Sequence, residues 1–410
     1  MPPDVCVVVP TIREYECVRA YVENAREHGF DVSRLQFVLV TEDFCETEAM
    51  REMLDELGVS GEVFDGSRRE AWYEREGVAE FGHLVPAASH AETSFGLLYL
   101  WAHDESEYGV FIDDDTRPHE AFDFFGRHLR NLGDERERKR AGEDGRSTTS
   151  EREGSGEIRE LRSDERWVNV LHENFAEHGL YPRGYPYSAM AETVETGTTA
   201  ASDAVASQGL WTNVPDLDAV RILMDGDLRG QATTRLSRTD YGEPFVVAPG
   251  HYLTVCSMNL AFRREVVPAF YQLPMDDNPW GIGRFDDIWS GVFLKRACDV
   301  LGKQVVTGYP LCEHDKAPRS TFDDLANEAP ALECNEHLWE VVDGVGGGRE
   351  SYAGVYAAMA DALSTGDFSG YANGAFLNHV GEHMHDWLAC LDALAPGSVP
   401  RATSAPVADD

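Results

Sequence analysis

The chain has little lysine. Of 35 basic residues only Lys139, Lys295, Lys303 and Lys316 are lysine, and the rest are arginine. Basic charge is scarce as well, since 73 acidic residues leave a formal charge of -38, with acids distributed along the whole length. So negative a surface repels phosphate backbones, and this excludes DNA or RNA as the expected partner. Dense acid with arginine in place of lysine reads as adaptation to the high-salt cytoplasm of a halophile, where a Debye length of about 3 Å screens self-repulsion. An ordinary acidic protein is the plainer alternative.

Long apolar runs are missing too. None approaches the roughly 20 residues of a membrane span. The opening MPPDVCVVVPTIRE lacks the basic segment and long apolar stretch of a secretory signal, so a cytoplasmic location is expected. The eight cysteines form no C-x-x-C pair and mostly sit in apolar context, which predicts buried free thiols in place of zinc ligands or disulfides. There is no Walker A sequence and no G-x-S-x-G. The glycine run GVGGGRE (344–350) follows no apolar strand and lacks G-x-G-x-x-G spacing, so no flavin and no NAD are expected.

What is present is a folded composition, 42% hydrophobic, in strand–helix–strand order. DVCVVVPTI (4–12) and LQFVLVTED (35–43) read as buried strands around a helical segment at 16–30. Helices are predicted near 46–57 and 91–104, then the strand YGVFI at 108–112. This is an α/β pattern with a parallel sheet, whose ligands gather at the carboxyl ends of the strands. Thr11, Arg13, Glu42, Asp43 and the run Asp113, Asp114, Asp115 all fall there. Residues 133–165 are charged and poor in apolar residues, which predicts a mobile surface insertion, part of which could be a polar helix. Further strands are expected at 206–212, 251–262 and 304–309, a helix at 286–301, and helical pattern over 336–363 and 371–394. The resulting division is 1–132, 133–165, 166–330, a helical extension 331–394 and a disordered tail 395–410. The helical extension is a natural place for homo-oligomer contacts.

Four stretches can carry chemistry. Asp113 and Asp115 form a D-x-D at a strand end, a pattern that holds Mg2+ or Mn2+ and leaves positions open for phosphate oxygens. In so acidic a chain it also fits a plain acidic turn. His314, after a strand, can complete a Mn2+ site, with Lys316 and Arg319 beside it to hold phosphate, or it can be a structural histidine. Arg284 with Asp286 and Asp287 opens a helix; an N-cap needs one acid, and the second could bind sugar hydroxyls or act as a base. YPRGYPYS (181–188) offers Arg183 and Tyr185 in a proline-stiffened loop that could equally be an aromatic packing element.

Taken in order, VVVPTIRE, VFIDDD, YPRGYPYS, SQGLWTNVPDLDA, VCSMNLAFRREVVPAFY, GIGRFDDIWSG and GYPLCEHDKA resemble the reversibly glycosylated polypeptides, glycosyltransferase family 75, whose plant members are UDP-arabinopyranose mutases. The resemblance covers about residues 4–320, omitting the charged insertion. It implies a GT-A type fold, a Rossmann-like mixed sheet flanked by helices, with a divalent metal bridging a nucleotide-sugar diphosphate. It also implies Asp113, Asp115 and His314 as metal ligands, and Thr11, Arg13, Glu42 and Asp43 at the nucleoside. Arg183 and Tyr185 would lie near the sugar, with Asp286 and Asp287 facing it. UDP is favoured through the plant resemblance alone. Plant members carry an arginine seven residues before the one matching Arg183; here that position is Ala176. A nucleotide-sugar mutase is therefore expected first, a glycosyltransferase second, and a non-catalytic sugar-nucleotide-binding partner third.

Overall fold

The computed structural model describes residues 2–12, 15–87, 89–103, 105–143, 157–172, 179–190, 193–201, 203–275 and 278–399. Arg13 and Ala176 lie outside them, as do 144–156 of the charged stretch and 400–410 of the tail. The first half runs β1 (Val5–Pro10), α1 (Cys17–Glu27), β2 (Leu35–Val40), α2 (Thr47–Leu57), β3 (Ser60–Phe64), α3 (Gly66–Glu76), α4 (Glu92–Ala102) and β4 (Tyr108–Ile112). Then come β5 (Thr116–Pro118), α5 (Phe124–Asn131), α6 (Glu135–Glu143), β6 (Glu157–Ser163), β7 (Val194–Ala200), β8 (Ala204–Asn213) and α7 (Ala219–Asp225). The rest is β9 (Phe245–Val247), β10 (Asn259–Arg263), α8 (Asp286–Leu301), β11 (Gln304–His314), α9 (Thr321–Asp343), α10 (Tyr352–Thr365) and α11 (Gly374–Leu394).

One mixed sheet has the order β3-β2-β1-β4-β10-β8-β11-β9-β6-β7, with β5 paired to β11 off this path. The strands β3, β2, β1 and β4 are mutually parallel, and β10 enters antiparallel beside β4. Beyond it β8 and β11 run parallel to each other. This is the expected architecture, a Rossmann-like mixed sheet flanked by helices. VCVVV reads as a continuous apolar run because β1 is covered on both faces. On one face α4 lies so close that a Cβ on Gly96 would fall 2.3 Å from Val8, and α11 covers the far side of α4, with Trp101 Nε1 donating to the Leu391 carbonyl at 3.1 Å. Buried on both sides, α4 is apolar all round.

Several expectations change. The charged stretch is ordered at both described flanks, as α6 and β6. Its hold is polar, so apolar periodicity gives no sign of it: buried Arg34 bonds Asp4 at 2.9 Å, Asp134 at 2.8 Å and Glu137 at 2.7 Å. Within 251–262 only β10 is a strand; Leu253 to Met258 run as buried loop, with Gln208 Nε2 donating to the Thr254 carbonyl at 3.0 Å. The strand expected at 304–309 continues to His314 through a register shift between Gly308 and Cys312. The helical pattern at 336–363 divides into α9, which begins earlier at Thr321, and α10. All eight cysteines are free and, apart from half-buried Cys45, buried. No described helix is long and apolar enough to cross a membrane.

Candidate active site

The carboxyl ends of β1, β2, β4, β8 and β11 and the amino end of α8 open onto one cleft of about 350 Å3. Its lining includes Thr11, Glu42, Asp113, Asp114, Asp115, Arg183, Arg284, Asp286, Asp287, His314, Lys316 and Arg319. Twelve of the residues singled out in the sequence therefore meet, though their motifs are scattered over three hundred positions.

The acid run is positioned by a short antiparallel pairing. β5 sets Thr116 opposite His314, and the Asp315 N–H donates to the Asp115 carbonyl at 2.8 Å. This draws His314 Nε2 to 3.7 Å from Asp115 Oδ2. His314 Nδ1 lies 2.8 Å from the Val214 carbonyl, which can only accept, so Nδ1 carries a proton and Nε2 faces the acids, donating to Asp115 when it is protonated and open to a cation when it is not. Carboxylate oxygens of Asp113, Asp114 and Asp115 lie within 4.8 Å of one another. Burial, then the charges of Asp115 and Asp114, hold the Asp113 carboxyl well above the usual carboxylate range. For Asp115 burial acts upward too, but hydrogen bonding and attraction from His314 outweigh it, and the net shift is down. Asp115 Oδ1 is buried with no hydrogen-bond partner. Crowded carboxylates, an orphaned oxygen and an imidazole nitrogen turned toward them fit a hard divalent cation.

A second charged layer faces them. Arg183 Nε bonds Asp216 Oδ2 at 3.1 Å, while its two terminal nitrogens fork onto Asp287 at 3.0 Å each and one of them also donates to the Arg284 carbonyl. Burial would lower the Arg183 pKa, but the charges of Asp216 and Asp287 raise it well above the arginine norm. Asp216, likewise pushed up by burial, is held below the carboxylate range by Arg183, Lys316 and His314. Arg284, at φ 63°, pairs with Glu328 at 2.7 Å and Asp324 at 3.5 Å, both on α9. Lys316 makes no ion pair within 4 Å among the described residues, and burial lowers its pKa against the pull of Asp216. Gly184 beside Arg183 has φ +86°, and a Cβ there would lie 2.2 Å from Ile288 Cγ2, so only glycine lets this loop close onto α8.

Two expected site residues lie elsewhere. Tyr185 packs between Trp167 and Tyr181, its hydroxyl donating to the Trp167 and Ala189 carbonyls at 3.1 and 3.2 Å. In the sequence Y-P-R-G-Y the turn at Gly184 sends Arg183 to the cleft and Tyr185 into the core. Asp43 accepts from the Ser67 N–H at 3.0 Å and the Ser67 hydroxyl at 3.1 Å, satisfying the first turn of α3. Arg183 itself is committed to protein partners, so it positions Asp216 and Asp287.

Other lining residues were not among the sequence candidates. Asp216 had a legible sign, its position just past the end of β8 as Asp113 is past β4. Gln272 is buried with Nε2 unpartnered, its Oε1 accepting from Thr93 at the start of α4. Ile12 and Phe44, 44% and 76% exposed, form an apolar lip.

Glu92 is a buried acid at this end. Burial, then a hydrogen bond with Glu42, pushes its carboxyl up to about 9, with Arg69 opposing. A carboxyl raised on folding contributes stability that is complete below its unfolded pKa of 4.5 and lost as pH rises through about 9. Glu92→Gln, which keeps the neutral form, is expected to unfold about 2–4 °C above the parent near pH 8, the gap closing below about pH 5. Thermal unfolding across pH tests this, and a gap independent of pH contradicts it.

An α/β sheet with a charged cleft at the carboxyl ends of its parallel strands defines a class of ligand-binding α/β protein. The chain belongs to the reversibly glycosylated polypeptide family, whose model matches residues 159–396. It is 38% identical over 174 residues to UDP-arabinopyranose mutase 1 of Arabidopsis thaliana, covering 42% of this chain and 43% of that protein. To UDP-arabinopyranose mutase 2 of the same plant it is 30% identical over 238 residues, 56% and 59% of the two chains. The chain thus matches less than two thirds of the length of these relatives. Among solved structures, a mannosyltransferase from Pyrobaculum calidifontis in complex with GDP-Man and Mn2+ overlaps 96% of this chain and 88% of its own at 12% identity, with a TM-score of 0.33.

Proposed function

We propose that the chain is a divalent-metal-dependent, flavin-independent nucleotide-sugar mutase that interconverts pyranose and furanose forms, with UDP the favoured nucleotide. One observation carries the reading: clustered carboxylates and an imidazole nitrogen share a cleft with Lys316 and Arg319. Asp113, Asp115 and His314 would hold Mn2+ or Mg2+, which would offset diphosphate charge when bound. Lys316 and Arg319 stabilise the charge that grows on the diphosphate as the C1–O bond breaks. A different hydroxyl of the sugar attacks C1 and forms the new ring bond, the bond from C1 to the old ring oxygen breaks, the proton of the attacking hydroxyl passes to that oxygen, and the diphosphate returns to C1. Asp286 moves protons between hydroxyls. Asp287, held in orientation by the Arg183 fork, fixes the ring. That the Arabidopsis thaliana relatives are named UDP-arabinopyranose mutases supports the assignment.

Glu42 and Thr11 face the nucleoside, and the lip of Phe44 and Ile12 offers its base a flat apolar surface. Stacking on an aromatic ring contributes about 1–3 kcal/mol per base in other systems. Phe44→Ala is therefore expected to weaken UDP binding about tenfold in calorimetry, and unchanged affinity removes the lip from the site.

A transferase remains the second reading, favoured by Ala176 where plant members have arginine. Acceptor-free incubation with Mn2+ and a panel of UDP- and GDP-sugars in high-KCl buffer separates the two. A new nucleotide-sugar peak without free diphosphate supports the mutase, whereas diphosphate release that begins only with an added glycan, lipid or protein acceptor supports the transferase.

A further inference from the structure

Away from the cleft, α11 carries His379, His383 and Asp386 at spacings of four and three, so all three share one stripe of the helix. Facing them is His83, from the short turn Ala79–Leu84. His83 Nε2 lies 2.9 Å from Asp386 Oδ2, and its Nδ1 lies 3.2 Å from the Glu80 carbonyl. Ring centroids are 5.5 Å apart for His83 and His383, and 4.3 Å for His379 and His383. Two imidazoles on one zinc, with Zn–N near 2.0–2.1 Å and a tetrahedral angle, have centroids about 5 Å apart. His383 Nδ1 is buried without a hydrogen-bond partner, and Trp280 covers His379 at 5.3 Å between centroids.

We propose that His83, His379, His383 and Asp386 form a second metal site, for a transition-metal cation of the zinc class, that staples α11 to the turn at 79–84. Three imidazoles and one carboxylate suit Zn2+, Co2+ or Ni2+ and are a poor set for Mg2+. The Glu80 carbonyl fixes the His83 tautomer with Nε2 turned toward the site, the outer contact that ligating histidines usually make. Burial, with the neighbouring imidazoles, pushes His383 down to about 4, and burial lowers His379, so both are neutral and ready to ligate at neutral pH. Among the described residues the three cleft aspartates are the one group of three or more with ligand atoms already within 4.8 Å of one another, while in the histidine set His83 and Asp386 are already 2.9 Å apart. The histidine set closes through side-chain rotation, a movement its half-exposed members His83 and Asp386 can make.

The test is Co2+ titration of the full chain after EDTA dialysis, read by visible absorption and by calorimetry, with Zn2+ as competitor. A nitrogen-rich tetrahedral Co2+ site absorbs strongly in the visible, while an all-oxygen octahedral site absorbs weakly. One equivalent of the strong band is expected, displaced by Zn2+, retained in Asp115→Asn, and at least about 100-fold weaker in His83→Gln and His383→Gln. His83 is half-exposed on a turn, so its substitution leaves the fold intact even where His383→Gln loosens it. Absence of the band in the parent, or a band insensitive to His83→Gln, or one lost with Asp115→Asn, overturns the proposal.

Discussion

Replacing Asp115 by asparagine should lower metal-dependent turnover about 1,000-fold while leaving the protein folded. The magnitude follows from losing several kcal/mol of charge stabilisation at a transition state, at 1.36 kcal/mol per tenfold. The fold should survive because the substitution removes one of three crowded carboxylates, whose mutual repulsion adds to burial in driving Asp113 upward. Asparagine also keeps an oxygen toward His314. A thermal shift isolates the cause: Mn2+ should raise the melting temperature of the parent, as any ligand specific to the folded state does, and leave that of Asp115→Asn unmoved. Full activity in the variant, or an equal Mn2+ shift, contradicts the assignment of Asp115.

The second large effect is expected at Arg183. Its guanidinium serves Asp216, Asp287 and the Arg284 carbonyl at once, and both carboxylates are buried. Arg183→Ala strands two carboxylates without their cation, and breaking a buried pair in this way costs about 3–5 kcal/mol. Arg183→Lys keeps the charge but cannot fork, so Asp287 loses its fixed orientation. The lysine variant should fold, retain UDP affinity and lose about 100-fold in kcat, the scale of a 1 Å misplacement. Urea unfolding and steady-state kinetics read the two effects separately. If the lysine variant turns over normally, the fork onto Asp287 has no role in the chemistry. Asp216 adds a pH signature: its pKa is depressed on folding, so its contribution is present above the unfolded value of 3.8 and lost as pH falls below it.

How far the site was legible depends on what wrote each residue into the chain. Asp113 and Asp115 follow an apolar strand and His314 ends another, and the rule that ligands gather at strand ends was enough to single them out as candidates, which the fold brings together in one cleft. Asp286 and Asp287 announced themselves by exceeding the needs of a helix cap. Tyr185 misled because alternate residues of a loop part company at a glycine turn, and one-dimensional spacing says nothing of which follows the cleft. Asp43 misled because its strand-end position served a neighbouring helix. Glu92 and Gln272 had no motif at all; Glu92 reaches the cleft because α4 is clamped between the sheet and α11, and Gln272 because it bonds Thr93 and Ser94 at the start of that helix. In the fold, strands and helices with apolar periodicity were legible. The polar antiparallel pair β6–β7 was not, and α6 was legible only as the alternative to a mobile stretch, since ladder hydrogen bonds and the Arg34 network hold them in place of apolar faces.

The central claim is that this cleft breaks and remakes the bond between the sugar C1 and the diphosphate without an acceptor. Positional isotope exchange reads that event directly. A UDP-sugar with 18O in the oxygen bridging C1 to the β-phosphorus is incubated with the protein and Mn2+, and the isotope-shifted 31P signals are followed. The account predicts that 18O scrambles into the non-bridging β-phosphate positions, that scrambling stops with EDTA, and that free UDP does not accumulate. Retention of 18O in the bridge while pyranose and furanose forms interconvert, or an unchanged substrate throughout the panel, would contradict it.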